Sequence, residues 1–272
     1  MSKIFEGLDY TAHPPMNSLN GDRTATSNEP EHSAGPRVTQ ASFANVPIAD
    51  GPAHRTKVGP SPALEMDMEA RQELTKLTHR LFLGSNGPRV VAFSGVQEGA
   101  GCSWMLARTA QLLAESDAGS VCVIDADLRN PTLHKYFRVG NSFGLSDALI
   151  GTQPVSEYVS RLGGQLHLLS SGSVIPKVET LLSSSTFRLR VEELCVSFRF
   201  VLFDTPPLAG SSDALVVASR TDGLVMVIEA DSTNRDLALK AAKDASATNV
   251  HLLGTVLNKR TFPIPEAIFR KL

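Results

Sequence analysis

No run of apolar residues in this 272-residue chain approaches the roughly 18 needed to cross a bilayer as a helix. The amino terminus also lacks the basic-then-apolar pattern of a secretory leader, so a cytosolic setting is expected. Cysteine is scarce: Cys102, Cys122 and Cys195 make an odd count with no metal-ligand spacing, which argues against a disulfide framework and a zinc site. Excess charge is missing as well. Lys and Arg total 26 against 28 Asp and Glu, the two signs are mixed, and there is no basic stripe to hold nucleic acid. A last absence is local: the glycine-rich turn Gly95-Val96-Gln97-Glu98-Gly99-Ala100-Gly101-Cys102-Ser103 contains no lysine.

What is present points to one sizeable core, since 42% of residues are hydrophobic. Residues 1–63 are rich in Pro, Gly, Ser, Thr, Asn and His with apolar residues scattered singly. Such a segment cannot bury enough surface to offset its chain entropy, and a disordered tail is expected there. Residues 64–272 read as one domain. Leu74, Leu77, Leu81 and Phe82 recur at helical spacing over Leu64–Leu83, and Gly84, Asn86, Gly87 and Pro88 end the pattern.

Strands and helices then alternate. Strands are expected at 89–94, 120–124, 165–169, 200–203, 223–228 and 251–256. Helices are expected at 103–114 and 234–247, in short pieces at 132–137, 144–150 and 155–161, and over most of 179–197. Continuous apolar strands separated by helices mean a parallel sheet covered on both faces, a three-layer α/β fold.

Three of the strand ends carry chemistry. After the first, Gly99 and Gly101 allow a tight turn that aims backbone N–H groups, including those of Ala100 and Cys102, at a polyphosphate. The next helix adds its positive end, and Ser103 is placed to ligate Mg²⁺ through its hydroxyl. Val121–Ile124 leads into Asp125-Ala126-Asp127-Leu128-Arg129, which sets two carboxylates and a guanidinium at the carboxyl edge of the sheet. One carboxylate suits a Mg²⁺ shell, the other suits orienting or deprotonating a hydroxyl, and Arg129 suits a phosphate. Phe200–Phe203 ends in Asp204-Thr205-Pro206-Pro207, where the carboxylate would support the Mg²⁺ shell and the prolines stiffen the loop.

With these motifs in this order, residues 72–272 resemble the cytoplasmic kinase module of bacterial tyrosine kinases, the capsular and exopolysaccharide family related to the Min/Par P-loop ATPases. Similar stretches include 144–151, 179–184, 212–214, Leu257-Asn258-Lys259-Arg260 and 262–266. The resemblance implies ATP and Mg²⁺ as cofactors. Gly99, Gly101 and Ser103 would cradle phosphates and metal, Asp125 would be the base or a metal-shell group, and Asp127 and Asp204 would complete the shell. Asn258 would contact the adenine edge. It also implies a role in exopolysaccharide assembly or export at the inner face of the cell membrane, with a membrane-embedded chain-length or export protein as partner and a possible homo-oligomer.

The chain departs from the family at the lysine. A lysine at position 102 would sit against the β- and γ-phosphates, and neither Cys102 nor Gln97 supplies its charge. Trp104 puts a large ring in the first helical turn, where packing is its expected role. Tyrosine is limited to Tyr10, Tyr136 and Tyr158, so no terminal tyrosine cluster is expected. The family's Glu-x-x-Arg-x-x-Arg oligomerisation helix is matched by Glu73-x-x-Lys76-x-x-His79, which loses the fork-shaped Arg contacts. A degenerate kinase with a docking role is the leading expectation. A kinase completed in trans by its partner, or a Min/Par-like positioning ATPase, are the alternatives.

Overall fold

The computed structural model describes residues 66–85 and 87–260. The expected tail at 1–63 and the stretch 262–266 lie outside them. Helix α1 (Met68–Phe82) is started by Asp67, whose carboxylate accepts from the Ala70 amide at 2.7 Å. It buries Ala70, Leu74, Leu77 and Phe82, and its Lys76 ammonium pairs with Glu73 at 2.7 Å. The chain then alternates: β1 (Val90–Gly95), α2 (Cys102–Glu115), β2 (Val121–Asp125), α3 (Leu133–Phe137) and α4 (Leu145–Ile150). A 3₁₀ turn at Val155–Tyr158 leads to β3 (Ser160–Gly163) and β4 (Leu166–Leu169). There follow α5 (Val178–Leu182), α6 (Ser185–Ser197), β5 (Phe200–Thr205), α7 (Asp213–Ala218), β6 (Gly223–Glu229), α8 (Arg235–Ala247) and β7 (Leu252–Asn258).

The strands form one seven-stranded sheet in the order β3-β4-β2-β5-β1-β6-β7, parallel throughout except for the β3–β4 pair. Strands β1, β2, β4 and β5 are buried along their whole length, as their largely apolar runs require of a sheet covered on both faces. Side-chain alternation divides the core. Val121, Val123, Phe200, Leu202, Val91 and Phe93 face α1, α2 and α3, whereas Cys122, Ile124, Val201, Phe203 and Ala92 face α4 to α7. Period two then puts Asp125 and Asp204 on the α2 side, at adjacent positions of paired strands.

Three details differ from the sequence reading. The piece expected to be helical over 155–161 is a 3₁₀ turn followed by β3, an antiparallel edge strand, so the sheet is mixed. The helix expected across 179–197 breaks at Ser183–Ser184 because Ser184 turns extended and its hydroxyl caps α6 through the Phe187 amide at 3.2 Å. Helix α7 follows the Pro206-Pro207 loop, where no helix was expected.

Arg190 holds the α4 end of the second core. Only 7% exposed, it donates to the Ala148 and Gly151 carbonyls at 2.9 and 3.0 Å and to both Glu193 oxygens. Methionine there would keep the volume but leave those acceptors unpaired. Arg190→Met is expected to lower unfolding free energy by about 2–3 kcal/mol in urea titration.

Candidate nucleotide site

The loop between β1 and α2 is shaped by glycine. Gly99 and Gly101 take φ values of 82° and 84°, where any side chain is strained. A Cβ on Gly101 would also fall 2.4 Å from Asn258 Nδ2. Gly101 immediately precedes α2, so the first amides of that helix, Cys102 and Ser103 among them, have no acceptor within it. Those donors and the helix dipole make the turn an anion cradle.

The loop is braced from β7. Asn258 is buried and donates its amide to the Ala100 carbonyl at 2.9 Å. Lys259, in a left-handed conformation at φ 58°, donates to the Gly99 carbonyl at 2.6 Å and pairs with Glu229 at 3.0 Å. Gln97 donates to the Ser232 hydroxyl at 3.1 Å.

On the other side, Asp125 and Asp204 stand side by side at the ends of β2 and β5. Oδ2 of Asp125 accepts the Thr132 and Leu133 amides at 3.0 and 2.9 Å, so this carboxylate caps the start of α3. Its Oδ1 and both oxygens of Asp204 are buried without a well-formed hydrogen bond. The Cys102 thiol and Ser103 hydroxyl face Asp204 and favour its charged form, yet neither reaches good hydrogen-bond geometry. Burial dominates: it raises the pKa of Asp125 to about 7 and that of Asp204 well above the carboxylate range, with the Asp127 charge adding to the first shift and the Asp125 and Asp127 charges to the second. Asp127, half-buried, accepts the Arg129 and Asn130 amides at 3.3 and 2.9 Å and so shapes its own turn.

Cys102 sits on the wall of this acidic hollow. Although the residue as a whole is half-buried, its thiol is enclosed. Burial first, then the Asp204 charge, push the thiol well above the usual range, so it stays protonated and neutral. The Tyr136 phenol is raised in the same direction, by burial and then by Asp204, which places it near the acidic pair.

The structure therefore brings Gly99, Ala100, Gly101, Cys102, Ser103, Asp125, Asp127 and Asp204 to one sheet edge, with Asn258 behind the loop. Arg129 is not among them. Its guanidinium pairs with Glu179 at the start of α5 and with Asp213 at the start of α7, the latter at 3.3 Å. Asn258 spends its amide on the loop itself. Trp104 packs against the first core, as its sequence position suggested. Lys259 is the functional contact that sequence reasoning passed over, although it stands inside a polar pair directly after an apolar strand.

The side chains fit a magnesium-bound nucleotide in part. Among the described residues no cluster of three or more His, Cys, Asp or Glu is preformed for a metal. Mg²⁺ does not require one, because it keeps waters and takes oxygen from one or two carboxylates and from phosphate. The orphaned, buried oxygens of Asp204 and Asp125 call for such a counter-charge. What is missing is the ammonium at position 102.

Comparison with known proteins agrees with this geometry. The family model described as cellulose biosynthesis protein BcsQ matches residues 89–256. Tyrosine-protein kinase YwqD of Bacillus subtilis is 34% identical over 161 residues, which is 59% of this chain and 68% of that protein. Tyrosine-protein kinase CpsD of Streptococcus agalactiae is 30% identical over 173 residues, 63% of this chain and 75% of that one. Among solved structures, the kinase domain of Escherichia coli tyrosine kinase ETK superposes with a TM-score of 0.68 at 26% identity, covering 78% of this chain and 86% of that one. A plasmid partition protein from Borrelia burgdorferi, at 17% identity and a TM-score of 0.50, shares the fold alone. With its three motifs on the ends of β1, β2 and β5, the chain belongs to the bacterial tyrosine-kinase family of P-loop proteins.

Proposed function

We propose that this chain is a nucleotide-site protein of exopolysaccharide or capsule assembly whose phosphoryl-transfer capacity is lost or strongly reduced, and whose main role is docking. One observation carries the reading: a neutral, enclosed thiol lies beside Asp204 at the position where a lysine would meet the β- and γ-phosphates. When bound, Mg·ATP would bring a transferable phosphoryl group and its own counter-ion. Ser103, Asp127 and Asp204 would hold that ion, loop amides would hold the phosphates, and Asp125 would orient or deprotonate a hydroxyl. None of these groups adds positive charge where the transition state builds negative charge. Such a charge is worth roughly a hundredfold or more in rate.

Residues 64–272 would form the nucleotide-site domain, with residues 1–63 a tail outside it. Among the described residues no helix is long and apolar enough to cross a membrane. Recruitment to the inner face of the membrane would run through a membrane-embedded chain-length or export protein. A second reading, a tyrosine kinase completed in trans, is favoured by the unspent oxygens of Asp125 and Asp204. The Min/Par-like reading fits less well, because Gln97 and Cys102 leave both lysine positions of such loops unfilled.

The two leading readings separate when the purified chain is incubated with γ-labelled Mg·ATP. No label on tyrosine is expected. Tyrosine labelling that disappears in Asp125→Asn would replace the docking reading with the kinase reading, and labelling only with added partner would select activation in trans.

A further inference from the structure

The two flanks of the loop are built unequally. The sheet order puts β5 and β2 on one side of β1, and β6 and β7 on the other. A phosphate chain cradled by the loop with its metal-bearing end toward the carboxylates of β2 and β5 would extend its nucleoside end over the ends of β6 and β7.

The β6–β7 flank carries a positioned cation. Lys259 Nζ uses one N–H on Gly99 O and another on Glu229, and an ammonium has three, so one remains for a ligand. Its stem runs beside the loop, with Cε 3.9 Å from where a Gly101 Cβ would stand. The positive φ of Lys259 is uncommon for a side-chain-bearing residue and is what turns the stem back over the loop. Asn258 fixes the adjoining carbonyl, so this flank is rigid before any ligand arrives.

The β2–β5 flank is the reverse. Asp125, Asp127 and Asp204 gather there with Cys102, whose side chain brings no ammonium. Arg129, which follows them directly in the chain, is committed to Glu179 and Asp213. A Mg²⁺ that displaced the protons of Asp125 and Asp204 would offset two of the three negative charges then present. A terminal phosphate would add further negative charge with no ammonium to receive it.

We infer that this site holds a nucleoside diphosphate in preference to the triphosphate, with Lys259 as the cation that secures its nucleoside end. The inference rests on the nucleotide-site reading above and specifies which nucleotide that site retains. It gives the chain a ligand that does not change on turnover, as a docking protein with a fixed nucleotide-bound shape needs.

Calorimetric titration of the full chain with Mg·ADP and with Mg·ATP tests it, alongside Lys259→Met, Lys259→Arg and Cys102→Lys, each first shown to unfold in a single cooperative transition without nucleotide. Wild type is expected to bind Mg·ADP more tightly than Mg·ATP. Lys259→Met should weaken both about tenfold alike, with Lys259→Arg recovering most of the loss. Cys102→Lys should tighten Mg·ATP tenfold or more and reverse the preference, a change of ratio that a merely structural brace would not produce. Wild-type affinity equal or tighter for Mg·ATP, or an unaltered Lys259→Met variant, would overturn the inference. Binding seen only in Cys102→Lys would sink it while leaving the nucleotide-site reading intact. Silence in every variant would remove that reading itself.

Discussion

Cys102→Lys is expected to produce measurable Mg·ATP hydrolysis or phosphoryl transfer where the parent chain shows almost none, a gain of about a hundredfold or more. The size follows from what surrounds the site. The loop glycines, Ser103, Asp125, Asp127 and Asp204 are already positioned, and a preorganised setting lets one added charge act without rearrangement. The ammonium would also sit beside Asp204, whose two oxygens are buried without a good donor, so the unliganded fold gains a partner for that carboxylate. The measurement is single-turnover phosphate release by the two proteins at equal concentration. If the variant binds Mg·ATP tightly but stays inert, the defect lies beyond the lysine, and Arg129, turned toward Glu179 and Asp213, becomes the next residue to change.

A second large effect is expected at Asp204 in the absence of nucleotide and Mg²⁺. Burial raises both carboxyl groups, helped at Asp125 by the Asp127 charge and at Asp204 by the Asp125 charge, and Asp125 reaches about 7. The folded protein therefore holds these protons more tightly than the unfolded chain, where a carboxyl titrates near about 4. The stability that this pair contributes is complete below about pH 4 and is lost as pH rises through the folded values. Asp204→Asn removes one of the two charges and lets Asp125 ionise more easily. The variant should exceed wild type by about 2–3 kcal/mol at pH 8, or ~4–10 °C in melting temperature, and match it near pH 4. Scanning calorimetry at the two pH values reads the difference. An equal gain at both would show that packing, rather than charge, sets it.

The legible parts of this fold were those where burial on both faces left a continuous signal. Strands β1, β2, β4 and β5 run largely apolar, and the ends of β1, β2 and β5 carry the Gly, Asp or Pro pair that stops the run. Strand β3 gave no such signal, because Ser160-Arg161-Leu162-Gly163 is short, half-exposed and paired only with β4 in the sheet. The α5–α6 break depends on one extended serine in a helix-compatible stretch.

In the site, residue types were readable but directions were not. Arg129 stands in an apt motif, yet its partners come from 50 and 84 residues further along the chain. Lys259 acts on a carbonyl 160 residues away, and local spacing cannot report a contact of that kind. Asp125 likewise divides its carboxylate between the hollow and the start of α3, a role set by how the chain returns after the Asp-x-Asp turn.

The outer strand beyond β4 has a consequence for self-assembly. Open sheet margins invite other chains to add strands, and proteins blunt them by keeping marginal strands short and irregular. Here the margin is four residues long, shifts register between Arg161 and Gly163, and ends in two glycines with positive φ. Such a border offers no flat ladder of free amides and carbonyls. Copies of this chain cannot grow into a shared sheet along it, and contacts between copies on that flank must be made by side chains on helices and loops, where charge and shape can select the partner.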